Sequence, residues 1–255
     1  MRAVFNTLAF VLITLVLAIV AIFSFIADRT GDAVLRLARI WSRAILRAAG
    51  VKLSVNAHTE LDPKTPYVFM ANHSSASDIF SLFVAVPFPV RMIAKKQLGR
   101  IPFFGWAMHA GRFIFIDRQN PMAARRSIDE AARRIHGGQS VLLFPEGTRT
   151  RDGKMGPFKK GGFHLAIASG ASIVPVGIRG SRAVWPRGSA LIHSGAIHIE
   201  IGAPISTKGM TDDDREALLE KVRALILGMS TGEGGERELS QGLPSPRPSP
   251  ADGGG

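Results

Sequence analysis

The sequence predicts an α/β fold, with a largely parallel sheet flanked by helices and preceded by an N-terminal membrane helix and a basic amphipathic helix. Three observations carry this. Short, uniformly apolar runs read as strands covered on both faces. Helical patterns lie between several of these runs, the alternation expected of parallel strands joined by crossover helices. The first stretch of chain is a charge-free segment of membrane-spanning length.

Residues 4–27 contain no charged side chain. As a helix this run is roughly 36 Å long, enough to cross a hydrocarbon core of about 30 Å. It is too long for the apolar part of a signal peptide and lacks a small-x-small cleavage site, so residues 1–30 read as a retained anchor. A helix buried in the protein core, or one dipping into a single leaflet, has the same composition. Arg2 alone precedes the run, whereas Arg29, Arg36, Arg39, Arg43, Arg47 and Lys52 follow it. By the positive-inside rule the remainder lies on the cytoplasmic side of the cell membrane.

Residues 31–50 form the next element. Arg36, Arg39, Arg43 and Arg47 recur every three or four residues and share a helical face, with Val34, Leu37, Trp41, Ile45 and Ala48 on the others. Such a helix suits an anionic membrane surface. A helix packed on the domain would read alike.

Residues 51–229 make the globular domain. Strands are expected at 67–71, 90–94, 112–117, 141–144, 172–178 and 196–201. Asn120-Pro121 starts a helix that Gly137-Gly138 ends. Further helices are expected at 78–86, 159–169 and 212–227. Residues 230–255 are rich in Gly, Pro and Ser and read as a disordered tail.

Composition narrows the chemistry. A chain of 255 residues, 46% of them hydrophobic, suits one sizeable domain. The net charge of +12 and pI of about 11.0 favour anionic partners. The absence of cysteine excludes disulfides, thiolate zinc sites and an acyl-cysteine intermediate. The histidines are scattered without ligand spacing, so no metal site is expected. No RNP, zinc-finger or helix-turn-helix signature is present, and no nucleic-acid partner is expected.

Several predicted strands run directly into polar clusters. Residues 67–71 lead into Asn72-His73-Ser74-Ser75-Ala76-Ser77-Asp78, residues 90–94 into Lys95-Lys96, 113–116 into Asp117-Arg118, and 141–144 into Pro145-Glu146-Gly147-Thr148-Arg149. In parallel sheets the carboxyl ends of strands line one edge, where ligands bind. His73 beside Asp78 suits general-base work, the carboxylate orienting the ring. Five positions apart on a regular helix would separate the two side chains by about 140°. His73 is therefore expected in the strand-to-helix loop and Asp78 in the first helical turn. Alternatively, Ser75-x-x-Asp78 is a variant capping box and His73 an ordinary loop histidine. Arg118 and Arg149 suit a phosphate, because guanidinium binds it bidentately, though surface ion pairs would account for them too. Gly147 and Thr148 add a tight turn with amide donors and a hydroxyl. Glu146 would align the arginines or a ligand's hydroxyls, and Lys95 is a candidate for oxyanion or phosphate support.

Taken together these segments resemble the glycerolipid acyltransferase family, and within it the 1-acylglycerol-3-phosphate (lysophosphatidic acid) acyltransferases. NHSSASD (72–78), GRFIFIDR (111–118), FPEGTR (144–149) and IVPVGI (173–178) match its four blocks in order, and AKKQLGRIPFFGWAM (94–108) is similar to its connecting region. The resemblance covers roughly residues 50–205. It implies that His73 deprotonates the acceptor hydroxyl, that Asp78 orients it, and that Arg118, Glu146, Gly147, Thr148 and Arg149 hold phosphoglycerol. It further implies a lysophospholipid acceptor, acyl-CoA or acyl-ACP as co-substrate rather than a cofactor, and no metal. The product would be phosphatidic acid, in phospholipid synthesis. A sibling acyltransferase acting on glycerol-3-phosphate or lyso-ornithine lipid is the nearest alternative. A non-enzymatic membrane-anchored protein that binds anionic ligands is the distant one.

Overall fold

A computed structural model gives the fold and describes residues 2–117, 120–150 and 152–232. In chain order the helices are α1 (Arg2–Ala27), α2 (Asp32–Ala48), α3 (Ser77–Ala85), α4 (Phe104–Ala110), α5 (Pro121–His136), α6 (Gly161–Ser169), α7 (Ser181–Val184) and α8 (Arg215–Thr231). The strands are β1 (Val51–Ala57), β2 (Tyr67–Ala71), β3 (Val90–Lys95), β4 (Ile114–Ile116), β5 (Ser140–Leu143), β6 (Ser172–Arg179) and β7 (Gly195–Ile201). They form one seven-stranded sheet in the order β1-β7-β6-β2-β5-β3-β4. The run from β6 to β4 is parallel throughout. β7 pairs antiparallel with β6, and β1 runs parallel to β7, so this border pair points the other way.

Why the apolar runs form strands is visible in β2, where all five residues are buried. Val68 and Met70 face one side with Val141, Leu143 and Ile173. That side is closed by Ala131 and Ile135 of α5, Phe163 and Leu165 of α6, and Val222 and Ile226 of α8. Tyr67, Phe69 and Ala71 face the other side, against Leu82 and Phe83 of α3. Alternation along a strand covered by helices on both faces produces such continuous hydrophobicity.

The structure changes several boundaries. β1 was not expected, because it is an edge strand with most of its residues exposed and no apolar run to betray it. β4 is shorter than 112–117. Asp212–Asp214 is a separate 3₁₀ turn before α8, closed by a reciprocal capping box between Thr211 and Asp214. The expected tail, 230–255, lies outside the described residues from 233 onward.

The N-terminal helices do not stand off the domain. α2 is packed between α1 and α3: Ile45 and Leu46 meet Phe80, while the Trp41 ring sits 4.8 Å from that of Phe80. Arg39 turns inward from the basic face. Its Nε donates to the Phe83 carbonyl at 3.1 Å and Nη1 to that of Pro87 at 3.0 Å, and Nη2 donates to Val86, so it serves the carboxyl end of α3. Arg36, Arg43 and Arg47 remain exposed.

α1 lies along the domain for its whole length. Near its start the Asn6 amide donates to the Ile192 carbonyl at 3.0 Å and the Thr7 hydroxyl to that of Ala190 at 2.9 Å. Midway, Trp41 Nε1 donates to the Thr14 hydroxyl at 2.9 Å. At the far end the chain turns through Gly31, at φ 83°, where a Cβ would fall 2.7 Å from the Ala110 carbonyl oxygen and leave no room for a side chain. Asp28 secures this corner by accepting from the amides of Thr30 and Ala33 and the Thr30 hydroxyl, which hold its pKa down to about 2. The opposite face exposes Phe5, Leu8, Leu12, Phe23 and Ile26, each by more than 60%. Soluble domains do not leave so long a row of large apolar side chains in water.

Candidate active site

The site is built at the carboxyl end of β2. Beyond Ala71 the strand pairing is continued by a side chain: Asn72 Nδ2 donates to the Ile178 carbonyl at 3.0 Å, and the Ile178 amide donates back to Asn72 Oδ1 at 2.8 Å. The chain then breaks away from the sheet with its register fixed. The His73 amide donates to Glu146 Oε1 at 2.7 Å, and the Thr150 amide donates to the His73 carbonyl at 2.9 Å. The loop after β5 thus clamps His73 from both sides of its backbone.

His73 lies in the loop, and Asp78 is the second residue of α3. Their side chains meet: His73 Nδ1 is 2.8 Å from Asp78 Oδ2. The same oxygen accepts from the amides of Ser74 and Ser75, each at 2.8 Å. Asp78 is wholly buried, and its Oδ1 has no hydrogen-bond partner. An oxygen already facing two N–H groups acts as acceptor, so Nδ1 carries a ring proton, and in the neutral tautomer this leaves the lone pair on Nε2. Phe144 stacks beneath the imidazole at 3.9 Å between centroids and an interplanar angle of 11°. Two rotations of the ring are therefore restricted, one by the carboxylate and one by the stack.

The capping-box alternative is half realised. The return bond to the Ser75 amide is present, but the Ser75 hydroxyl accepts from the Ser77 amide at 3.1 Å rather than from that of Asp78, while donating to the Trp185 carbonyl at 2.8 Å. Ser77 Oγ donates to the Ser181 carbonyl at 3.1 Å, and Ser74 Oγ lies 3.0 Å from Ser181 Oγ. The serines tie the corner to α7.

Glu146 has a structural task within the protein. It is buried, and its oxygens accept from the amides of His73 and, at 2.8 Å, Gly156. It staples two loops and so fixes the His73 backbone. Burial pushes its carboxyl pKa up, against the pull of those two amides. Gly147, at φ 75°, makes the turn that follows, and its amide donates to the Phe144 carbonyl at 3.0 Å. This turn carries Thr148, which is exposed, and Arg149, half-buried, whose carbonyl accepts from Arg187.

The remaining expected residues lie farther along the same edge or beyond view. Lys95 ends β3, two strands from β2 and so about 10 Å across the sheet. It is exposed, and its neighbour Lys96 pairs with Asp117 at 3.3 Å. Arg118 lies outside the described residues. Sequence reasoning gave no part to Asn72, Phe144, Ser181 or Trp185. Asn72 and Phe144 were signalled, being the first polar residue after a buried strand and an aromatic before Pro-Glu-Gly. Ser181 and Trp185 carried no signal, because their contacts depend on where α7 lands.

The same corner borders an apolar cavity of about 480 Å³. Ala76 and Ile79 of the His73–Asp78 corner form part of its wall, with Phe10 and Leu15 of α1 and Phe103 and Phe104 opposite. Trp106 is not part of the lining. A neutral imidazole so held can take a proton from a hydroxyl presented to Nε2.

The fold and the site define a class: α/β proteins with a His–Asp pair at the carboxyl edge of a parallel sheet. Comparison with known proteins gives the family. A profile of the acyltransferase family matches residues 52–179, and the chain belongs to that family. Similar curated proteins are named 1-acyl-sn-glycerol-3-phosphate acyltransferase. That of Limnanthes douglasii is 36% identical over 164 residues, 64% of this chain and 57% of its own. That of Cocos nucifera is 34% identical over 164 residues, 64% and 53% of the two chains. The alpha form of Homo sapiens is 32% identical over 179 residues, 70% and 63%. The aligned region thus spans a little over half the length of these relatives. The crystal structure of a 1-acyl-sn-glycerophosphate acyltransferase, PlsC, from Thermotoga maritima shares the fold with a TM-score of 0.77 at 24% identity, covering 96% of this chain and 100% of that one.

Proposed function

We propose that the protein transfers a fatty acyl group from an acyl-CoA or acyl-ACP thioester to the sn-2 hydroxyl of 1-acylglycerol-3-phosphate, forming phosphatidic acid. The observation that carries this reading is the His73–Asp78 dyad on a corner whose Ala76 and Ile79 form part of the wall of an apolar cavity. The names of the curated relatives support it.

In this reading His73 Nε2 takes the proton of the acceptor hydroxyl as its oxygen attacks the thioester carbonyl. The tetrahedral oxyanion collapses and expels a thiolate, which leaves with the proton from the imidazolium. General-base help of this kind contributes about 10²–10⁴-fold. The remainder comes from holding the acyl chain in the cavity and the phosphoglycerol against the turn of Gly147, Thr148 and Arg149. Arg118 joins them on the strength of the family resemblance alone, and Lys95 supplies further positive charge on that edge. A charge pair at 4 Å gains about 1 kcal/mol in water and about 4 at an effective dielectric of 20, so a shielded rim favours phosphate recognition.

α1 seats the enzyme. A helix held against the domain at both ends cannot stand across a bilayer, so it lies in the cytoplasmic leaflet with its outer face in lipid.

The test is to incubate the purified protein with lysophosphatidic acid and labelled acyl-CoA or acyl-ACP, and to assay phosphatidic acid. Failure to form it with either donor overturns the reading. Glycerol-3-phosphate and lyso-ornithine lipid complete the acceptor panel, and a preference for one of them reassigns the enzyme to a sibling activity.

A further inference from the structure

Part of the exposed apolar surface belongs to the corner after β3 rather than to α1. Ile101 is 44% exposed, Phe103 41% and Trp106 52%. Single exposed apolar side chains are ordinary, but three within six residues make a patch. This patch is continuous with α1, because Ile101 and Phe103 share the walls of the apolar cavity with Val11 and Leu15. Both of those α1 residues are themselves more than 40% exposed.

The backbone beneath it is strained. Phe103 has φ 58° and ψ −57°, a conformation that side-chain-bearing residues rarely adopt. Such strain persists where the position of a side chain matters, and here it sets the Phe103 ring 5.1 Å from that of Trp106. Lys95, Lys96 and Arg100, all exposed, immediately precede the patch in the chain. Apolar and aromatic groups flanked by cations fit the boundary between acyl chains and anionic headgroups.

We propose that residues 101–106 are a second membrane contact. They form a wedge seated in the same leaflet as the outer face of α1, at the headgroup–acyl boundary of an anionic bilayer. The wedge and α1 then flank the mouth of the cavity, so that an acyl chain passes from lipid to protein without crossing water. This rests on α1 lying in the bilayer and not on the chemistry at His73.

The absence of native cysteine makes single-site labelling unambiguous. Nitroxides are attached to Ile101→Cys, Phe103→Cys and Trp106→Cys in the full chain, bound to vesicles of equimolar phosphatidylcholine and phosphatidylglycerol. Leu12→Cys on α1 and Met122→Cys on α5, 63% and 70% exposed, are the references. Labels at 101, 103 and 106 are expected to be several-fold more accessible to oxygen than to a water-soluble nickel chelate, with Met122 showing the reverse. A water-phase response at 103 or 106 overturns the proposal, as does spin–spin broadening that places the patch between two copies of the chain. Leu12 reports on the anchor separately. A label at Phe103 replaces a strained residue, so native Trp106 gives a second reading. Brominated lipid should quench wild-type emission, and Trp106→Phe should lose most of that quenching. Equal quenching in both proteins sinks the wedge.

Discussion

The corners after β2 and after β3 both lead from a parallel strand into a helix at the same sheet edge, yet they are held in opposite ways. The β2 corner is fastened by partners distant in sequence: Asn72 to Ile178, His73 to Glu146, Ser74 and Ser77 to Ser181, and Ser75 to Trp185. In the β3 corner the bonds are local, such as Ile101 amide to Leu98 carbonyl and Gly105 amide to Ile101 carbonyl, with one exposed ion pair from Lys96 to Asp117. An exposed pair of that kind is worth about 0–1 kcal/mol. The comparison teaches where this fold invests its polar groups. A proton acceptor has to be held within fractions of an ångström, so its loop is clamped by hydrogen bonds. A surface that meets a fluid phase is fixed by backbone shape and apolar side chains.

Attacking the clamped corner should show this in graded steps. The largest effect is expected from Asp78→Asn. The amide presents a donor or a weaker acceptor to Nδ1, the ring proton loses its fixed seat, and turnover should drop by up to about 10⁴-fold while the melting profile stays cooperative. Phosphatidic acid formation and circular dichroism measure the two. A rate near wild type would remove the dyad from the mechanism.

Next comes Glu146→Gln, which leaves one of two buried amides facing an NH₂ group. A stability loss of about 1–3 kcal/mol is expected in denaturant titration. The pH dependence has a definite sign. Burial raises the folded-state pKa of Glu146. The stability tied to that raised pKa is therefore fully present below the ordinary carboxylate value and is lost as pH rises through the folded one. Wild type should lose stability relative to Glu146→Gln as pH climbs from about 4 toward neutrality, and a constant difference would contradict the burial argument.

The smallest effect is expected from Phe144→Leu. Removing an aromatic stack worth about 0.5–1.5 kcal/mol should slow turnover by about 2- to 10-fold, with acceptor KM little changed. A larger change in KM than in kcat would make Phe144 a substrate contact rather than a support for the imidazole.

The two corners also differ in how far they could be read from sequence. His73 and Asp78 were legible because their spacing forbids a shared helical face, which forces one into the loop and the other into the first turn. The part played by Glu146 was not, since it depends on the Gly156 amide reaching its second oxygen. β2, β5 and β6 declared themselves through burial on both faces. β1 did not, for an edge strand has no such run, and α4 was hidden behind the unexpected backbone of Phe103. The arginines of α2 showed their common face, but nothing in their spacing revealed that Arg39 turns back to the carbonyls at the end of α3.

The reversed border pair has a further result. Because β1 runs against β2, it begins at the edge where β2 ends, and the chain entering β1 must come from above that edge. Had β1 pointed the other way, α1 and α2 would have been delivered to the far side of the molecule. The polarity of one marginal strand thus turns the leading segment of the chain into a roof over the reactive rim.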